Sequence, residues 1–219
     1  MKSKHIILVS FLMIIGHSLF SQKFNPSVQL FGSPLVHVFE KTGNDNYKQN
    51  LNYSFGIFLK NRFILNHGII SIRTGYFIDD KNYKKNFSDT IDWYPRSVQT
   101  IFLYGNIPLF FDYSYAINEK LSPFISLGFV LGHILSQKQH WTYNNGETKD
   151  GFLNGIENER NPKYFHLSIG LDYKIGERYS IQFEPYLKYL LNGKSPYNYD
   201  QDSKIAIGTR IGIKYDINN

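Results

Sequence analysis

From Tyr164 to Leu191 apolar and polar side chains alternate through two runs separated by a three-residue turn. In the first run Phe165, Leu167, Ile169, Leu171, Tyr173 and Ile175 share one side, while His166, Ser168, Gly170, Asp172 and Lys174 share the other. After Gly176-Glu177-Arg178 the pattern resumes, with Tyr179, Ile181, Phe183, Leu187, Tyr189 and Leu191 against Ser180, Gln182, Glu184, Tyr186 and Lys188. A period of two marks a strand, whose successive side chains point to opposite faces, whereas a helix repeats every 3.6 residues. Each run holds about 12 residues, which at ~3.3 Å per residue and a tilt near 45° cross roughly 25 to 28 Å, the depth of a bilayer's hydrocarbon layer.

The same period predicts six more strands, over 28–39, 51–60, 64–78, 98–116, 122–135 and 205–217. Gly32 and Pro34 interrupt the first and predict a bend or bulge. Pro108 sits inside the fourth, where its missing N–H predicts another bulge. The connections alternate in length: 40–50, 79–97, 136–163 and 192–204 are long, and Asn61-Arg62, 117–121 and 176–178 are short. The longest carries Trp141, Tyr143 and two Asn-Gly dipeptides, the makings of an irregular or hairpin-bearing excursion. Short turns at one end and long loops at the other, around an even number of strands, are the anatomy of a bacterial outer-membrane barrel. The expected fold is therefore all-β, an eight-stranded antiparallel up-and-down transmembrane β-barrel.

The first residues fit that destination. Lys2, Lys4 and His5 precede an apolar run from Ile6 to Ile15, broken only by Ser10, and Gly16 and the small Ser21 follow. This predicts a signal peptide over residues 1–21, leaving a barrel domain over 22–219. The chain has no cysteine, which excludes disulfides, thiol chemistry and thiolate metal sites. Its net charge of +6 falls to +4 without Lys2 and Lys4. The four long loops hold 12 Lys or Arg and 12 Asp or Glu, so the excess lies in the short turns and on the polar strand faces. A nucleic-acid binder would gather its basic residues on one exposed surface, and that class is set aside.

Alternation alone leaves open which face points outward, since a soluble lipocalin-like barrel would carry the same pattern turned inside out. Two features favour the membrane. Tyr113, Tyr115, Tyr173, Tyr179 and Tyr215 all fall on the apolar face at the short-turn ends, as an interfacial aromatic girdle requires. The polar face carries Gly56, Gly75, Gly128, Gly132, Gly170, Gly208 and Gly212, small residues that suit a crowded barrel interior. At this point the runs IPLFFDYSY at 107–115, SPFISLGFVLG at 122–132 and the closing IGTRIGIKYDI resemble the PorT-like outer-membrane β-barrel family of Gram-negative bacteria. The resemblance implies an outer-membrane barrel of the cell envelope, and some members of that family serve protein secretion. The chain departs from the usual aromatic ending, closing on Asp216-Ile217-Asn218-Asn219.

The polar face holds Arg73, Lys174, Lys188, Arg210 and Lys214 with Asp112, Asp172, Glu184 and Asp216. These could line a narrow ion path. Because eight strands leave room only for side chains, an ion-paired plug is the expected arrangement. One pattern points to an enzyme: His166 and Ser168 lie on one side of a strand, with Glu184 on the next. That looks like the His-x-Ser step of the outer-membrane lipid A deacylases, in which a histidine activates a hydroxyl. Alternation turns the pair toward the lumen, so a polar lumen pair without catalysis is expected. His37, His67, His133 and His140 lack metal-ligand spacing, and no cofactor motif is present. The expected role is structural or interaction-based, with outer-membrane lipid around the wall. A partner protein would meet the loops 79–97 and 136–163, which carry Trp93, Tyr94, Trp141 and Tyr143.

Overall fold

The computed structural model describes residues 25–38, 46–65, 68–87, 95–151, 161–192 and 204–217. The expected signal peptide, Trp93, Tyr94 and the second Asn-Gly dipeptide lie outside them. Ten strands form, all antiparallel: β1 (Asn25–Val38), β2 (Asn46–Gln49), β3 (Asn52–Leu65), β4 (Gly68–Asn86), β5 (Pro95–Ser114), β6 (Leu121–Tyr143), β7 (Thr148–Gly151), β8 (Lys163–Lys174), β9 (Tyr179–Leu190) and β10 (Ile205–Asp216). Eight of them pair in a closed ring, β1-β3-β4-β5-β6-β8-β9-β10 and back to β1. Hydrogen-bonded neighbours lead from Ser71 through Asp112, Ser126, Ser168, Tyr186, Gly208 and Leu35 to Asn52. Continuing the Ser54–Asp79 register by two residues then reaches Lys81, ten residues above the starting point on the same strand. A stagger of this size around eight strands tilts them by about 40°.

The faces settle the direction of the barrel. Ile169 and Ile213 on the apolar face are 62% and 58% exposed, while Arg73, Glu184 and Arg210 on the polar face are 0–1% exposed. Leu30, Phe55, Leu127, Leu167 and Ile211 join the outward apolar surface, which runs all the way round the barrel. In water so large a continuous patch would drive aggregation, since monomeric soluble proteins keep such patches to a few hundred Å². Lipid removes that cost. Tyr113, Tyr115, Tyr173 and Tyr179 are exposed in the lower girdle. Tyr215 is half-buried there, its ring 5.1 Å from that of Tyr179 and its hydroxyl accepting from Arg178 at 3.2 Å. A second girdle, of Tyr53, Tyr76 and Tyr189, stands at the long-loop end. Tyr179 and Tyr189 are ten residues apart on β9, so at about 40° of tilt the belts are separated by roughly 25 Å, a membrane-sized band.

Several local expectations need correction. Asn61 and Arg62 do not form a turn: they lie inside β3, paired with Ile72 and Ser71 of β4. Pro108 forms no bulge. It keeps register with Val130, and its carbonyl accepts from the Thr74 hydroxyl at 2.8 Å, while the register shifts instead between Leu103 and Tyr104, where Leu135 of β6 is extra. β1 likewise keeps one register with β10 on both sides of Ser33-Pro34. The long loops are shorter than expected because strands continue into them. β4 runs to Asn86, β5 begins at Pro95 and β6 reaches Tyr143, with β2 added beside β4 and β7 beside β6. The result is a sheet β2-β4-β5-β6-β7 that projects beyond the belt. Its Asn144-Asn145-Gly146 loop is the hairpin that the first Asn-Gly signalled. Gly146 takes the left-handed position at φ 87°, and Tyr143 N donates to Glu147 O at 2.9 Å.

Candidate functional site

The site is the lumen. Alternation forces every second side chain inward, and the closed ring brings together residues far apart in the chain. Glu184 of β9 lies on the wall opposite Arg73, because β4 and β9 are four strands apart in a ring of eight. The two side chains meet across the axis. Arg73 Nη1 donates to Glu184 Oε2 at 2.7 Å and Nη2 to Oε1 at 2.8 Å, a bidentate fork. Arg210 Nη1 adds a bond to Glu184 Oε1 at 3.0 Å. Arg73 also reaches Asp112 at 3.2 Å, and Asp112 pairs with Lys60 at 3.1 Å. This cluster therefore holds three cations and two anions, all buried.

Rings enclose the guanidinium groups. Phe31, Phe58, Phe77 and Phe110 pack as one buried cluster. Arg73 lies 5.1 Å from the Phe58 centroid and 5.0 Å from that of Phe110, and Arg210 lies 4.2 Å from that of Tyr186. Glycines make room for such rings. A Cβ on Gly170 would overlap the Phe124 ring, and one on Gly208 would stand 2.5 Å from that of Tyr186. Above this layer Lys188 of β9 donates to Asp79 of β4, a second bridge across the same diameter. Below it Lys214 pairs with Asp172 at 2.6 Å, and Arg62 with Asp216 at 3.1 Å.

Most of the expected lumen charges are here: Arg73, Lys188, Arg210, Lys214, Asp112, Asp172, Glu184 and Asp216 all face inward and are buried. Lys174 is not among them. It stands exposed at the lower rim. Lys60, expected beside a turn, is 2% exposed inside the barrel, and Asp79, expected in a loop, forms the upper bridge. The missed turn boundary hid the first and the unexpected continuation of β4 hid the second.

His166, Ser168 and Glu184 do converge, but their hydrogen bonds run the wrong way for a nucleophile. The single Ser168 proton goes to Glu184 Oε1 at 2.6 Å. The guanidinium of Arg210 can only donate, so its 3.2 Å contact makes His166 Nε2 the acceptor and occupies the lone pair a general base would use. The His166 ring is stacked 4.3 Å from that of Phe110 with no surface open to solvent or lipid. Among the described residues no group of three or more His, Asp or Glu could hold a metal ion.

The fold is that of an eight-stranded outer-membrane β-barrel. Neisserial surface protein A is similar to the chain at 10% identity with a TM-score of 0.53, over 88% of this chain and 97% of that one. Ail, the attachment invasion locus protein of Yersinia pestis, is 14% identical with a TM-score of 0.45, over 89% and 99%. The N-terminal β-barrel domain of Pseudomonas aeruginosa OprF is 12% identical with a TM-score of 0.43, over 88% and 97%. No protein-family model and no curated protein matches the sequence. Shared architecture and the apolar exterior together place the chain in the outer membrane.

Proposed function

We propose that this chain is a non-enzymatic outer-membrane barrel with a plugged lumen, acting in the cell envelope through the end that carries the projecting sheet. The observation that carries this reading is the bridge from Arg73 to Glu184 across the full diameter of the lumen, closed above and below by rings and further ion pairs. A conducting path would have to break several charge-assisted hydrogen bonds at once. The resemblance to PorT-like barrels extends this to service in a secretion complex. That link stands on the runs at 107–115, 122–132 and the C-terminal strand, and on nothing in the lumen.

Two experiments test the reading. Purified protein inserted in planar bilayers is expected to give no sustained current steps under applied voltage; stable unitary conductance would overturn the plug. Deleting residues 137–160 removes β7 and the end of β6, yet leaves the β6–β8 register from Leu121–Tyr173 to Leu131–Lys163 intact. The shortened barrel is expected to fold and to lose any envelope partner captured by in-cell crosslinking. Retention of the same partner would refute the role of this end.

A further inference from the structure

Outside the lumen, the wall formed by β5, β6, β8 and β9 departs from a smooth aliphatic surface. Across β5, β6, β8 and β9 an open groove of about 490 Å³ is lined by Tyr113, Tyr115, Pro123, Ile169, Phe183 and Pro185, among others. The cause is local. Pro123 and Pro185 set short side chains on the outer face between the tyrosines of β5 and Phe183 of β9. At the lower end of the same wall a second hollow, of about 460 Å³, is lined by Asn118, Glu119, Lys120, Leu121 and Tyr173. The two are neighbours on the same pair of strands, since Pro123 and Leu171, which line the upper one, are paired two residues above Leu121 and Tyr173, which line the lower.

The lower hollow is built rather than frayed. Asn118 Oδ1 accepts from the backbone N–H groups of Lys120 at 2.9 Å and Leu121 at 2.8 Å. The Lys120 carbonyl accepts from Lys174 N at 2.8 Å. This fixes the turn and leaves the Glu119 and Lys120 side chains exposed just beneath the lower tyrosine girdle, where lipid headgroups lie. An apolar groove in the hydrocarbon layer thus stands directly above one cation and one anion at headgroup depth.

We propose that this wall binds one amino-phospholipid of the periplasmic leaflet. Its acyl chains would occupy the groove, its phosphate would pair with Lys120, and its primary ammonium would donate to Glu119. The charge pattern selects this class: a purely anionic headgroup meets Glu119 unfavourably, and a quaternary amine has no N–H to give it. The proposal rests on the bilayer setting of the barrel and is independent of whether the lumen conducts.

The test uses the full protein folded into vesicles of equal parts phosphatidylethanolamine, phosphatidylglycerol and phosphatidylcholine, released into mild detergent and read by native mass spectrometry. One retained phosphatidylethanolamine is expected, about two- to fivefold enriched over each of the others, the scale of one exposed ion pair. Glu119→Gln should abolish that preference while leaving lipid bound, and Ile169→Trp, which fills the groove, should remove all three lipids. Heat-shifted gel migration verifies that each variant is folded. Retained lipid that mirrors the vesicle composition, enrichment of phosphatidylglycerol, or a preference unchanged in Glu119→Gln would each overturn the proposal.

Discussion

The buried cluster around Glu184 makes a prediction that depends on counting charges rather than contacts. Arg73, Arg210 and Lys60 are ion-paired with Glu184 and Asp112, so this set of five carries one surplus positive charge. Glu184 accepts from Arg73 twice, from Arg210 once and from Ser168 once. Glu184→Gln leaves three buried cations against one anion. Removing one partner of a buried pair costs about 3 to 5 kcal/mol, because the charge left behind is uncompensated. Arg210→Met does the reverse. It leaves two cations against two anions, and the flexible thioether refills the space beside Tyr186. The lost hydrogen bond and ring contact are offset by relief of a desolvated charge, and a cost of about 1 to 2 kcal/mol is expected.

The double variant Glu184→Gln with Arg210→Met restores the original surplus of one and should recover at least about 1.5 kcal/mol relative to Glu184→Gln alone. Urea unfolding in lipid vesicles, followed by the fluorescence of Trp93 and Trp141 and by heat-shifted migration, measures all three. If Arg210→Met destabilises as much as Glu184→Gln, the charge count does not govern this layer and the reasoning fails. A Glu184→Gln cost below about 1 kcal/mol would have the same consequence, since the carboxylate would then not be the keystone of a buried network.

Three further outcomes follow from particular contacts. Gly170→Ala forces a Cβ into the Phe124 ring and should lower unfolding stability by about 1 to 3 kcal/mol, with Phe124→Leu in the same chain restoring part of it. Ser168→Ala should cost about 1.5 to 3 kcal/mol through the lost bond to Glu184 and leave the lipid composition of expressing cells unchanged; loss of a lipid modification would instead establish Ser168 as a nucleophile. Leu167→Arg and Ile169→Arg place a charge in the outward apolar band and should lower the yield of folded barrel in vesicles, by about 2 to 4 kcal/mol each near the midplane, whereas equal folding would mean that this face does not meet lipid.

What the sequence made legible follows the environment of each strand. Inside the membrane one face meets lipid and the other meets a polar lumen, so the period of two is written plainly in β8, β9 and β10. Beyond the belt both faces of β4 are largely polar. Lys81, Tyr83 and Lys85 point inward on β4 while Asn82 and Lys84 point outward, so no alternation marks the strand and it reads as a loop. The opposite error occurred at Asn61-Arg62, where an outward Asn61 between inward Lys60 and Arg62 makes a polar run near the lower rim that resembles a turn. The aromatic cluster was half visible, since Phe58 and Phe77 fall in phase with the polar residues of their strands, Ser54 and Gly56 in one and Arg73 and Gly75 in the other. The pairing of Arg73 with Glu184 was not visible at all. It exists only because eight strands close with a stagger of ten, and that stagger is set by registers that no single strand records.

Closure also decides where function can reside. A barrel of this diameter has three places at which another molecule can be met: the lumen, the outer wall and the ends. In the lumen the charged side chains around Glu184 are engaged with one another, and the most suggestive set, His166, Ser168 and Glu184, has the serine proton and the Nε2 lone pair already committed. On the wall, Pro123 and Pro185 thin the surface above a fixed, charged turn. At the ends the asymmetry is large, since one side has tight turns and the other raises three strands well past the upper tyrosines and widens them with β2 and β7. A chain that needed only to seal a ring in lipid would stop its strands at the girdle, as β8, β9 and β10 do. Extending β4 to 19, β5 to 20 and β6 to 23 residues orders backbone outside the membrane, at roughly 1 to 2 kcal/mol of entropy per residue. An extension that costs this much supports the proposal that the barrel acts through the end carrying the projecting sheet.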